Sequence, residues 1–192
     1  MQAETRPLLL SDLVFPRRGV LVNCVLVAAF TFLTAISAQF SVWVGAVPVT
    51  GQTLVVLLSG VVLGSRLGAL SQLGYLAVGA TGIPFWFALG GIPGIARIVG
   101  PTGGYLIGFV AAAFVTGWLA EKGWDRKVVM SGLAMLVGNV VIYLFGLAQL
   151  GLFIPSENLL KIGLIPFVLG DVLKISIAAI LLPYIWRLKL PS

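Results

Sequence analysis

Residues 127–149 read "KVVMSGLAMLVGNVVIYLFGLAQ", a stretch with no charge from Val128 to Gln149. At 1.5 Å per residue, a helix of this length crosses a hydrocarbon core of about 30 Å. Five more apolar segments, at about 20–40, 52–64, 66–80, 101–120 and 164–186, repeat the pattern in a 192-residue chain that is 59% hydrophobic and 9% charged. Mean hydropathy is +1.11. The runs lack the short alternation of a membrane barrel. The expectation is an all-α polytopic membrane protein with six transmembrane helices in a single domain over 1–192, residues 1–19 forming a cytoplasmic N-terminal segment. The second and third spans are short, are separated only by a turn at Ser65-Arg66, and are read as tilted or partly buried. The Gly- and Pro-rich stretch 81–100, "TGIPFWFALGGIPGIARIVG", reads as a re-entrant or interfacial loop.

The net charge of +6 is explained by topology rather than by nucleic acid. With the N-terminus cytoplasmic and six spans, Arg6, Arg17, Arg18, Arg66, Lys122, Arg126, Lys127, Arg187 and Lys189 all fall inside. Only Arg97 and Lys161 fall outside, and Lys174 lies within a span. Both termini are therefore expected on the cytoplasmic side of a multi-pass cell-membrane protein surrounded by lipid. Arg17-Arg18 resembles a secretion signal, but the apolar run behind it is longer than a signal core of about 7–15 residues and more spans follow. Histidine is absent, which disfavours hydrolytic triads and zinc chemistry. The single cysteine, Cys24, excludes an intrachain disulfide and reads as a packing residue.

The last span contains "FVLGDVLKIS", residues 167–176. Asp171 and Lys174, three apart, share one helix face. A charge at mid-membrane costs about 2.5–3.5 kcal/mol, so such residues face a cavity and have partners. Asp171 lies about 10 Å from the outer end of its helix, counted at 1.5 Å per residue. Three readings are open: a mutual ion pair bracing the helices, a proton relay, or a site in which Lys174 meets an anionic group and Asp171 accepts from N–H donors. In "VPVTGQTLVVL", Thr50 reads as an N-cap and Gln52 as a polar lid residue. In "GPTGGYLIGF", a helix start behind glycine turns can face an anion. Phe85, Trp86, Phe87, Tyr105 and Tyr143 read first as interface anchors, with Trp86 the preferred wall of a pocket for a ring system. Asn139 reads as an interhelical hydrogen-bonding residue. Two small-residue rows, Gly60/Gly64/Gly68 and Gly104/Gly108/Ala112, read as intramolecular packing faces. No phosphate loop is present, so ATP use would belong to a partner.

"PVTGQTLVVLLSGVVLGSRLGALSQLGYLAVGATGIPFW", "GPTGGYLIGF" and "IPFVLGDVLKI", in that order over about 45–180, resemble the BioY family, substrate-binding S components of energy-coupling factor (ECF) vitamin transporters. The resemblance implies a six-helix S-component fold and high-affinity capture of biotin from outside. It implies no enzymatic activity, no metal and no cofactor. Partners would be a transmembrane T component and two ABC-type ATPases that consume ATP. Asp171 would serve the ureido end of biotin and Lys174 the carboxylate, with Gln52 and Thr50 in a gate and Trp86 and Tyr105 as further ligand-binding residues. The first helix lacks the usual A-x-x-x-A docking pattern, since Ala28 is followed by Phe32 and Ala35 by Gln39. Thr31/Ala35 and Thr34/Ala38 offer the same spacing. The alternatives are an S component for thiamine or riboflavin, or an intramembrane lipid-modifying enzyme using Asp171 and Lys174 as acid and base.

Overall fold

The computed structural model describes residues 8–16, 19–44, 47–88 and 92–189. The elements in chain order are α1 (Leu10–Val14), α2 (Val20–Gln39), β1 (Ser41–Val44), β2 (Val47–Thr50), α3 (Gln52–Leu63), α4 (Ser65–Ala80) and α5 (Ile95–Val99). They continue with α6 (Gly103–Glu121), a single 3-10 turn at Trp124–Arg126, α7 (Val128–Leu150), α8 (Ser156–Gly163) and α9 (Ile165–Lys189). Each expected span coincides with a helix to within three residues. Four stretches, α2, α6, α7 and α8 running into α9, are long and apolar enough to cross a membrane; α3 is apolar but shorter. Arg17 and Arg18 lie outside the described residues.

Helix α6 is the centre of the bundle, packed against α3, α4 and α7. Two-thirds of its most apolar stretch is buried, against 22% for α2 and 33% for α7, whose outer faces are left for hydrocarbon. Val25 and Phe32 on α2, Leu144 on α7, and Leu169, Leu173 and Ile177 on α9 all point outward and exposed. A water-soluble surface does not carry apolar area on this scale.

Glycine permits the closest helix crossings. A Cβ on Gly60 of α3 would fall on the Ala113 carbonyl of α6, and one on Gly104 of α6 on the Phe145 carbonyl of α7. Both expected packing rows are therefore interior, except that Gly64 is the α3–α4 turn itself, at φ 88°. The turn thus falls one residue before Ser65-Arg66. Glu121, at the end of α6, accepts from the backbone N–H and the hydroxyl of Ser65, both at 2.8 Å, and so caps α4 from a distant part of the chain. The 3-10 turn buries Asp125, whose Oδ2 accepts the Trp186 indole N–H at 2.6 Å and ties the α6–α7 connection to the end of α9.

Several expectations are corrected. The helical reading omitted a β-hairpin: β1 and β2 pair antiparallel, Ser41 opposite Thr50 and Val44 opposite Val47. Valine, tryptophan and threonine over 41–50 suit extended backbone, and Pro48 is tolerated because a two-stranded ribbon is all edge. Thr31, Thr34, Ala35 and Ala38 are turned into the bundle, where Thr31 donates to the Ser71 carbonyl at 2.8 Å and Thr34 meets Gln72. That face is not free for docking. Cys24 is exposed rather than packed. Asn139 is buried, and its Oδ1 has no partner among the described residues. Within 81–100, the described residues form turns and the short helix α5.

Candidate functional site

At the end of the bundle where α3, α6 and α9 meet the hairpin and α5, the chain encloses about 520 Å³ of space, open mouth included. Three rings from three helices build part of the wall. Tyr105 of α6 stacks on Phe167 of α9 at 6.1 Å, and Tyr143 of α7 meets Tyr105 at 6.5 Å and Phe167 at 6.2 Å. Phe87, Phe109 and Ile142 continue the apolar lining. Thr50, Gln52, Thr53, Arg97, Thr102 and Lys174 supply its polar groups. An apolar chamber with a few fixed polar groups recognises an amphipathic ligand.

Asp171 and Lys174 form an ion pair, one of the arrangements that their spacing allows, at 3.3 Å, with side chains 7% and 20% exposed. Their surroundings show what each does. Lys174 donates to the Thr50 carbonyl at 2.7 Å, to Thr53 Oγ1 at 2.9 Å and to Asp171 Oδ1. These bonds occupy all three ammonium hydrogens. Thr53, already accepting from Lys174, passes its own hydrogen to Asp171 Oδ1 at 3.2 Å, while the Tyr143 hydroxyl donates to Oδ2. Asp171 is not itself among the lining residues. It sits just behind the wall and holds three groups that do line it: Lys174, Thr53 and Tyr143. Through Thr50, Lys174 also clips the hairpin to α9.

The remaining expected residues divide. Thr50 is not the cap of α3, which is Gly51; it lies at the end of β2, lines the cavity and donates to Gln52 Oε1 at 2.9 Å. Gln52 and Tyr105 line the cavity. Trp86 does not: its indole N–H donates to the Tyr75 carbonyl at 2.8 Å and its ring packs on Tyr75 and Phe32, so the neighbouring Phe87 takes the wall position. The first turn of α6 is close-packed, with Gln149 donating to the Ile98 and Gly100 carbonyls at 2.9 and 2.7 Å, and Thr102, Tyr105 and Leu106 there reach the cavity.

Arg97 is the residue that the sequence argument missed. It sits in the last turn of α5, is 8% exposed and lines the cavity. Burial pulls its pKa down from the usual arginine value. Arginine nevertheless remains charged at neutral pH. The available signal was a lone cation in an apolar Gly/Pro-rich segment, counted only as an exception to the topology rule.

The model of the BioY family matches residues 10–190. A probable biotin transporter BioY from Pyrococcus horikoshii is 43% identical over 156 residues, covering 81% of this chain and 91% of the relative. The biotin transporter BioY of Thermotoga maritima is 37% identical over 157 residues, covering 79% of this chain and 88% of the relative. A crystal structure of the S-component for biotin from an ECF-type ABC transporter superposes with a TM-score of 0.72 over 87% of this chain and 92% of that one, at 23% identity. That likeness speaks for the fold alone. On the family match and the identities, the chain belongs to the BioY family.

Proposed function

We propose that this protein is the biotin-binding subunit of a vitamin-uptake system, capturing biotin in the aromatic-walled cavity and carrying it inward. The observation that carries the reading is chemical complementarity. One cavity combines the Asp171–Lys174 cluster, a buried cation at Arg97 and a wall of rings. Biotin combines a ureido ring, an apolar thiophane and chain, and a carboxylate. One helical turn between Asp171 and Lys174 cannot reach both polar ends, and Arg97 supplies the other. Its planar fork matches a carboxylate bidentately. Lys174 then stays with Asp171 at the ureido end, donating to the ureido oxygen once a hydrogen is released by Thr50 or Thr53. A ureido N–H displaces the Tyr143 hydroxyl from Asp171. Two cations lining the cavity disfavour thiamine, whose ring is itself positively charged.

In this reading the cavity end faces outside, six helices cross the cell membrane, and both termini are cytoplasmic, in line with the bias of Lys and Arg. The whole chain acts as one domain. Transport is energised by a separate T component with two ABC-type ATPases, docked elsewhere than on the interior Thr31/Ala35 face. Uptake of labelled biotin by biotin-auxotrophic cells tests the proposal. Expression of the chain, with and without a co-expressed energising module, is expected to raise saturable uptake, competed by excess biotin and not by thiamine or riboflavin. Equal uptake in the vector control would refute it.

A further inference from the structure

Gln52 opens α3, lines the cavity and is 4% exposed. A side-chain amide has two orientations, related by a half turn, that exchange a two-hydrogen donor for an acceptor. Tyr75 of α4 decides between them. The Trp86 carbonyl can only accept, and at 3.3 Å it takes the one phenolic hydrogen of Tyr75. The Tyr75 oxygen is left with lone pairs, so the Gln52 atom 2.6 Å away must be the donor, Nε2. On the other side, the Gln52 backbone N–H donates to Thr50 Oγ1 at 3.3 Å, which sends the threonine hydrogen on to Gln52 Oε1 at 2.9 Å. Every hydrogen in the chain runs the same way. A reversed amide would set Oε1 against the Tyr75 lone pairs or draw the phenolic hydrogen off the Trp86 carbonyl. Tyr75 is itself immobilised: fully buried, stacked on Trp86 at 5.9 Å, against the edge of Phe87 at 5.4 Å. It is not among the residues lining the cavity.

We propose that Tyr75 is a positioning residue for ligand recognition, holding the Gln52 amide with its nitrogen toward α4 and its oxygen toward the hairpin. One N–H and one lone pair then remain for a ligand that carries an acceptor beside a donor, the pattern of a ureido or amide edge. The inference rests on the reading of the cavity as a biotin site. It explains why a tyrosine outside the cavity keeps its hydroxyl in an otherwise apolar cluster of rings.

The test is equilibrium binding of labelled biotin to the full chain in detergent, for wild type, Tyr75→Phe, Gln52→Leu and the double variant. Phenylalanine keeps the ring packing, and ligand-free thermal unfolding reports separately on the fold. Tyr75→Phe is expected to weaken binding about 5- to 10-fold, the worth of one net hydrogen bond. In the Gln52→Leu background the same change is expected to cost less than about 2-fold, because Tyr75 acts only through the amide. A residue serving folding alone would cost the same in both backgrounds. Equal cost in both, or none in either, overturns the inference while leaving biotin binding intact. Absence of saturable binding by wild type overturns the reading of the cavity itself.

Discussion

The Asp171–Lys174 pair lends itself to an experiment that separates charge balance from ligand recognition. Changing Asp171 to Asn leaves the Lys174 ammonium without its counter-charge and removes the anion that accepts from Tyr143, Thr53 and Lys174. Removing one partner of a buried pair costs about 3–5 kcal/mol. The Lys174 side chain keeps 20% exposure, which places the loss near the lower limit, at about 3 kcal/mol. For a chain of this length that is a fall of roughly 6–12 °C in unfolding midpoint. Replacing both residues, as Asp171→Leu with Lys174→Met, removes the unbalanced charge, and although the Tyr143 and Thr53 hydroxyls lose their acceptor the midpoint should recover above that of Asp171→Asn. Biotin binding should stay lost. Five tryptophans make thermal unfolding readable by intrinsic fluorescence in detergent, with binding measured on the same preparations. A double variant as unstable as the two single changes added together would refute the charge-balance argument. An Asp171→Asn protein that unfolds with wild type and binds normally would refute the role of the pair altogether.

Other outcomes follow from single contacts. Arg97→Met should weaken biotin by at least about 30-fold, the loss of a charge-assisted pair, yet change the binding of uncharged biotin amide by only a few-fold; competition binding distinguishes the two. Gly60→Leu should disrupt the α3–α6 crossing, where even a Cβ would fall on the Ala113 carbonyl, at a cost of at least about 1–3 kcal/mol, read as loss of monodisperse protein on gel filtration. Burial raises the Asp125 carboxyl above its ordinary 3.8, against the lowering effects of the Trp186 hydrogen bond and the Arg126 charge. The folded state therefore holds the extra proton, and stability should fall as pH rises from the ordinary carboxylate range through the raised value, then level off. Asp125→Asn should abolish that fall in unfolding midpoints measured across the range.

The long helices were legible because hydrocarbon leaves the backbone little choice. A span of about 20 residues must satisfy its own N–H and C=O groups, so apolar run length alone marks it. Asp171 and Lys174 were legible for the same reason, as charges where charge is costly. The hairpin was not. Residues 41–50 form too short a run to separate an extended ribbon from the approach to a helix, and their pairing depends on Gly51 folding back to donate to the Phe40 carbonyl at 3.0 Å. Arg97 was hidden because a cation in a loop costs little and looks ordinary; only the packing of α5 against α4 and α6 buries it. The exchange of Trp86 for Phe87 at the wall turns on local backbone, with Phe85 at φ 64°, and no periodicity in a Gly/Pro-rich stretch reports which of two adjacent rings faces inward. The spacing of Asp171 and Lys174 does not reveal the hydroxyls that surround the carboxylate. The place of Asp171 behind Tyr143 and Thr53 depends on residues 28 and 118 positions away in sequence.

The most direct measurement is equilibrium dialysis of labelled biotin against the purified full chain, with the Asp171→Leu/Lys174→Met variant beside it. The predicted result is saturable binding to wild type, one biotin per chain, and none to the folded double variant. Folded wild-type protein that shows no saturable binding, or a double variant that binds as wild type does, would contradict the account.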